Sequence, residues 1–228
     1  VIDRRQRLNK AALYLVCDDR PDEFVEAALR GGVDIVQLRC KDAGDDRLLS
    51  AARRFAAVCG RFGALFVVND RPDVAVAAGA DGVHVGQDDV SAAAARAVVG
   101  PDRLVGLSTH SRAQLEAAPA EVDYIGVGPV YETPTKAGRP AVGLSVVRYA
   151  AGAAAKPFFA IGGISAANVD AVREAGASRI AVVRALTEAA DPARAAAALR
   201  GALTGAGTLT GAGTPIGAGN DGEDRFAA

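Results

Sequence analysis

The stretch DIVQLRCKDAGDDRLLSAARRFAAVCGRFGALFVVND, residues 34–70, decides the fold. It opens on a short β-prone run (DIVQL, 34–38), continues through a helical pattern from about Asp45 to Arg61, and closes on a second apolar run (LFVV, 65–68). Two buried-strand patterns separated by an amphipathic helix make a βαβ unit, and its strands pair in parallel. Working outward, the same rhythm recurs. Apolar runs stand at 12–17 (ALYLVC), 82–85, 104–107, 124–127, 158–161 and 179–183, with Ala-rich helical segments between most of them. A helical stretch at 22–30 follows the first run and ends at Gly31-Gly32, and the first eleven residues read as a leader strand or short helix.

That makes eight runs, the number that closes a (β/α)8 TIM barrel, an α/β fold. About 200 residues over eight units leaves about 25 per unit, compact for such a barrel. An open doubly wound sheet is the alternative. It usually has fewer strands and a Gly-rich first turn, and the turn after Cys17 (DDRPDE) has no glycine. The expected organisation is a single barrel domain over residues 1–202. From about Leu203 the chain becomes a near-repeat of Thr, Gly and Ala that buries too little to offset its ordering entropy, so 203–228 is read as a disordered tail.

Composition narrows the function. Hydrophobic residues make up 50% of the chain and charged ones 23%, which suits a full core. Lys and Arg number 26 against 27 Asp and Glu, a net charge of −1 that gives no footprint for non-specific nucleic-acid binding. The apolar runs fall far short of the roughly 20 residues that span a bilayer, and no membrane partner is expected. No signal-peptide pattern opens the chain, and Cys17, Cys40 and Cys59 form neither a disulfide framework nor a zinc motif. A cytoplasmic location is the expectation. The chain has no Met and begins at Val1, which fits an unusual start codon or a trimmed terminus.

In a barrel, chemistry sits where strands end at the C-terminal face. Strand two ends Gln37-Leu38-Arg39-Cys40-Lys41, so Gln37, Arg39 and, if the strand persists, Lys41 share one face. Strand three ends Asn69-Asp70, strand four Gly86-Gln87-Asp88-Asp89, and strand five Ser108-Thr109-His110. Thr133, Thr135 and Lys136 follow strand six, and strands seven and eight end Gly162-Gly163 and Val183-Arg184. Asp70 and Asp89 lie on neighbouring loops and offer the one or two carboxylates with which proteins usually hold Mg²⁺. Arg39, Lys41 and Lys136 bring positive charge beside them, as a departing diphosphate requires. The plainer reading makes both aspartates helix caps. Gly162-Gly163, with Ser165 and a helix behind it, suggests a second anion site. Two phosphorylated ligands are therefore expected, a diphosphate with metal and a monophosphate without. His84 lies mid-strand, facing core or helix layer, and reads as a satisfied structural histidine. Nothing in the spacing supplies a histidine for Ser108. Cys40 stands where a lowered thiol pKa is conceivable but reads, like the other cysteines, as a spectator.

The ordered series QLRCKD (37–42), VVND (67–70), GVHVGQDD (82–89), GLSTH (106–110), GPVYETPTK (128–136) and AIGGI (160–164) resembles the thiamine-phosphate synthase family over roughly residues 10–200. The resemblance implies a barrel enzyme that joins a hydroxymethylpyrimidine diphosphate to a thiazole monophosphate, releasing diphosphate, by a dissociative route. It implies that Gln37, Leu38, Arg39, Cys40 and Lys41 bind the pyrimidine diphosphate with Asn69, Ser108 and Lys136. Arg39, Lys41, Ser108 and Lys136 would be catalytic, and Asp70 and Asp89 would bind Mg²⁺. Thr133, Pro134, Thr135 and Gly163 would hold the thiazole phosphate, with backbone at Val183 and Arg184. Two positions depart from the family pattern: Cys40 stands where many members are acidic, and Arg184 where serine is common. The rivals are the thiazole tautomerase paralogue, which needs neither the metal carboxylates nor the diphosphate cations, and a silent barrel that senses a phosphorylated metabolite. Assembly into a homo-oligomer and Mn²⁺ in place of Mg²⁺ stay open.

Overall fold

The computed structural model describes residues 3–133 and 140–205. Helix α1 (Arg4–Lys10) leads into β1 (Leu13–Cys17), and α2 (Asp22–Arg30), β2 (Ile35–Leu38), α3 (Asp45–Phe62) and β3 (Leu65–Asn69) follow. Next come α4 (Pro72–Ala77), β4 (Gly82–Val85), α5 (Ala92–Val99), β5 (Leu104–Thr109) and α6 (Arg112–Glu116). Then come β6 (Tyr124–Val127), α7 (Gly143–Ala153), β7 (Phe158–Ile161), α8 (Val169–Glu174), β8 (Ile180–Val182), α9 (Arg184–Thr187) and α10 (Pro192–Thr204). The eight strands pair in sequence order and β8 closes onto β1 in parallel, with Tyr14 opposite Ala181. Closure excludes the open sheet.

The helices form for a local reason visible in α3. Leu48, Ala51, Ala52, Phe55, Val58 and Cys59 recur at helical spacing and are all buried, Asp45 and Asp46 sit in the first turn, and left-handed Gly63 ends it. Strand alternation then builds two cores. Leu13, Leu15, Val36, Leu38, Phe66 and Val68 pack outward against the helices. Tyr14, Val16, Ile35, Leu65, Val67, Leu104, Tyr124, Phe159 and Ala181 fill the barrel, with Leu8 of α1 packed among them.

At the N-terminal end of the strands, Asp81 and Asp123 take Arg4 and Arg5 of α1, so that end is plugged and pinned by ion pairs. Polar chemistry is left to the opposite end. The first eleven residues thus supply a helix rather than a strand. Helix α10 runs to Thr204 with left-handed Gly205 as its cap, so the last helix passes the expected boundary at 202. The rest of the expected tail, 206–228, lies outside the described residues. No helix among the described residues is long and apolar enough to cross a membrane.

Candidate active site

A cavity of about 370 Å³ opens at the C-terminal ends of the strands. Gln37, Arg39, Asn69, Ser108, Thr133, Gly163, Val183 and Arg184 all line it, as expected of strand-end residues. Pro134, Thr135 and Lys136 lie outside the described residues. Leu38 faces away into the helix-side core, so only its backbone borders the strand end.

Asp70 and Asp89 come together at one rim. Asp70 is a non-glycine residue at φ +61°, and its amide donates to the His84 carbonyl at 2.8 Å, which turns its side chain toward β4. Asp89 folds back so that Oδ2 accepts the Gly86 amide at 2.9 Å. Burial and then the Asp89 carboxylate, hydrogen-bonded to it, push the Asp70 pKa from 3.8 up to about 6, against the opposing pull of Lys41 and Asn69. Lys41 Nζ lies 3.9 Å from Asp70 Oδ2. Two neighbouring carboxylates with a cation alongside form an oxygen donor set suited to a hard dication. No group of three or more His, Cys, Asp or Glu poised for a metal occurs among the described residues, so water and substrate oxygens would have to complete such a shell.

One expectation is corrected here, and the spectator reading of Cys40 agrees with its raised thiol pKa. Strand β2 ends at Leu38 and Lys41 lies in a turn, so Lys41 reaches Asp70 from the loop rather than sharing the barrel-facing row with Gln37 and Arg39. Cys40 is half-buried, and burial raises its thiol pKa, with Asp19 and Asp18 adding to the rise against an Asp19 backbone hydrogen bond and the Arg47 charge. The neighbouring cations do not make it reactive. Cys17 and Cys59 are buried free thiols, also raised by burial.

Sequence reading missed the barrel's polar interior. Gln37 Nε2 donates to Tyr14 Oη at 2.7 Å, Tyr14 and Tyr124 hydroxyls meet at 2.9 Å, and Tyr124 Oη lies 3.2 Å from His84 Nδ1. His84 Nε2 is 3.0 Å from Ser108 Oγ. A histidine is therefore held against Ser108, contrary to the expectation from spacing, and His84 faces the barrel interior. Gln87 Nε2 also donates to the Ser108 carbonyl at 2.7 Å. The available signal was small. The chain has four tyrosines, and the two that fall inside strand runs need partners for their hydroxyls if buried.

Across the mouth, Gly162 and Gly163 adopt φ +103° and +66°, and a Cβ on Gly163 would stand 2.7 Å from Tyr131 Cβ. Only glycine fits that close, left-handed approach. The helix expected directly behind it begins later, because Asn168 bridges the turn. Its Oδ1 accepts the Ser165 amide at 2.9 Å and its Nδ2 donates to the Gly163 carbonyl at 2.9 Å before α8 starts at Val169.

A barrel mouth with an acidic pair on one side and a glycine turn on the other narrows the candidates, and sequence comparison decides among them. The family model described as "Thiamine monophosphate synthase" matches residues 13–186, from the first strand into α9. The chain belongs to this family. Within the thiamine monophosphate synthase family, the "Thiamine-phosphate synthase" of Acidothermus cellulolyticus is 52% identical over 198 residues, covering 83% of this chain and 93% of that one. The protein of the same name from Thermosynechococcus vestitus is 52% identical over 192 residues, 83% of this chain but 55% of the relative. The chain thus spans about half the length of some curated relatives and nearly all of others. A solved "Thiamine phosphate pyrophosphorylase" from Pyrococcus furiosus superposes with a TM-score of 0.80 at 32% identity, covering 87% of this chain and 98% of that one.

Proposed function

We propose that this barrel is a thiamine-phosphate synthase, joining a hydroxymethylpyrimidine diphosphate to a thiazole monophosphate with release of diphosphate. The observation that carries the reading is the Asp70–Asp89 pair with Lys41 at its side, next in the chain to Asn69, which lines the cavity together with Arg39 and Gly163. Family membership supports it.

In this reading Asp70 and Asp89 hold Mg²⁺, which when bound supplies positive charge against the diphosphate. Arg39, Lys41 and Lys136 neutralise the leaving group as the C–O bond breaks and its electron pair goes to the diphosphate oxygen. Gln37, Asn69 and Ser108 hold the pyrimidine, with only the backbone of Leu38 at that strand end and Cys40 in the loop beyond it. Thr133, Pro134, Thr135, Gly163 and the backbone at Val183 and Arg184 hold the thiazole phosphate, so that the thiazole nitrogen lone pair forms the new C–N bond. The nitrogen attacks with its own lone pair and carries no proton to remove, so no general base is needed. The reading sets the enzyme in the cytoplasm, acting on small molecules.

The test is product formation from the two substrates, with and without Mg²⁺, for wild type and Asp89→Ala. Metal-dependent thiamine monophosphate that Asp89→Ala abolishes is the expected result. Binding of the thiazole phosphate without turnover sinks the synthase reading in favour of the tautomerase or the sensor.

A further inference from the structure

Five side chains from five strands or strand ends join into one hydrogen-bonded run: Gln37 to Tyr14, Tyr14 to Tyr124, Tyr124 to His84, and His84 to Ser108. We propose that this run has a fixed direction, set at the Gln37 amide and delivered at Ser108. It holds His84 as the neutral Nε2–H tautomer and leaves the Ser108 hydroxyl proton to donate into the cavity. Tyr14 and Tyr124 are positioning residues in this arrangement.

The direction follows from counting protons. An amide nitrogen only donates, so Tyr14 Oη accepts from Gln37 Nε2. Tyr14 is 2% exposed, and its own single proton must find an acceptor. That acceptor is Tyr124 Oη, whose proton passes in turn to His84 Nδ1. An imidazole that accepts at Nδ1 carries its proton on Nε2 and donates it to Ser108 Oγ. With Oγ already accepting, the hydroxyl proton is directed elsewhere, and Ser108 lines the cavity. Reversing one link leaves a buried O–H without an acceptor. Reversing all of them requires the Gln37 carbonyl to replace its amide nitrogen.

Two further features fit a built relay. Burial raises both phenols, so each keeps its proton and serves as donor and acceptor at once. His84, Gly106 and Tyr124 are partners in register across β4, β5 and β6. A Cβ on Gly106 would lie 2.2 Å from Tyr124 Cζ and 2.5 Å from His84 Nδ1. The missing side chain of Gly106 is the gap through which the two rings meet. Phe159 packs edge-on against both tyrosines, with centroids at 5.3 and 5.8 Å, and fixes their planes.

The test needs no substrate. The chain has two histidines, and nitrogen-15 NMR of the full chain separates the tautomers of each. His110 Nδ1 faces the Gly128 carbonyl, which can only accept, so His110 carries its proton on Nδ1 and serves as an internal opposite. His110→Gln assigns the two signals. The expected spectrum shows His84 as Nε2–H alone, and Gln37→Glu, which puts an acceptor where the amide nitrogen donates to Tyr14, reverses the run and moves the proton to His84 Nδ1. His84 found as Nδ1–H, as imidazolium or as a mixture in wild type overturns the proposal. So does an unchanged His84 signal in Gln37→Glu. If Gln37→Glu fails to fold, Tyr124→Phe replaces it: losing the hydroxyl that donates to Nδ1 should turn the His84 signal into a tautomer mixture, and an unchanged signal overturns the proposal.

A second experiment rests on the synthase reading. Tyr124→Phe and Ser108→Ala should each lower kcat about tenfold, the scale of one lost hydrogen bond. The double variant should fall no further than either single one. Multiplying losses overturn the relay. A wild type without synthase activity leaves the NMR result standing and refutes only the function.

Discussion

Asp70→Asn should make the metal-free protein more stable while abolishing its use of Mg²⁺. Asp70 occupies the left-handed region at φ +61°, where asparagine is as much at ease as aspartate, so the backbone need not move. The gain comes from charge. A carboxyl displaced from 3.8 to about 6 is penalised in the folded state whenever it is ionised. The full displacement corresponds to about 3 kcal/mol at 1.36 kcal/mol per pH unit. Because the site is partly open to water and Lys41 lies at 3.9 Å, about 1 kcal/mol is the figure to expect. The sign can be checked through proton binding. Between pH 3.8 and about 6 the native state binds more protons at this group than the unfolded chain, so its contribution to stability falls as pH rises through that window. Thermal unfolding in chelator should therefore show the variant melting about 2–4 °C higher near neutral pH. The two proteins should converge toward pH 4. Added Mg²⁺ should reverse the order, because only the wild type keeps both carboxylates to bind it. A variant less stable at neutral pH, or a gain that does not vary with pH, refutes the account in which burial and the Asp89 charge raise Asp70.

Arg39→Ala and Lys136→Ala should each lower kcat by about 10²–10³, measured as diphosphate release, since each removes one preorganised charge from the leaving group. Gly163→Ala forces a side chain into φ +66° and within 2.7 Å of Tyr131 Cβ. It should raise KM for the thiazole phosphate more than for the pyrimidine diphosphate in initial-rate assays. At the opposite end of the barrel, Arg96 binds Asp123 and the carbonyls of Gly100, Arg103 and Glu121. Arg96→Ala should cost about 2 kcal/mol in denaturant unfolding, with kcat unchanged, because Asp123 keeps only Arg5 and the Val105 amide and three carbonyls lose this donor, far from the mouth.

The barrel was legible because its signals are local. Each apolar run turns polar where it leaves the sheet, and helix α3 declares itself by the spacing of Leu48, Ala52, Phe55 and Cys59. Gln37, Arg39, Asn69, Asp70, Asp89 and Ser108 followed from the same rule, since strand ends face the mouth whatever the register. Lys41 and the turn after Gly163 show the limit of that rule. Whether a strand persists two residues further, or a helix starts at once or after an Asn168 bridge, depends on contacts that no window of sequence contains.

The interior polar run lay beyond local reading altogether. Tyr14 and Tyr124 are 110 residues apart in the chain, and His84 and Ser108 are 24 apart. These partners meet only after the sheet closes and its register is set. Seen alone, a mid-strand histidine is a core residue and a strand glycine is a weakness. With β4, β5 and β6 side by side, Gly106 becomes the space that lets His84 reach Tyr124. The order of inference is therefore fixed by physics: alternation gives the strands, closure gives the rows, and only the rows reveal that the barrel core connects Gln37 to Ser108. A functional account that stops at the strand ends would assign those two residues separate tasks, whereas the hydrogen bonds between them tie the proton position at one to the orientation of the other.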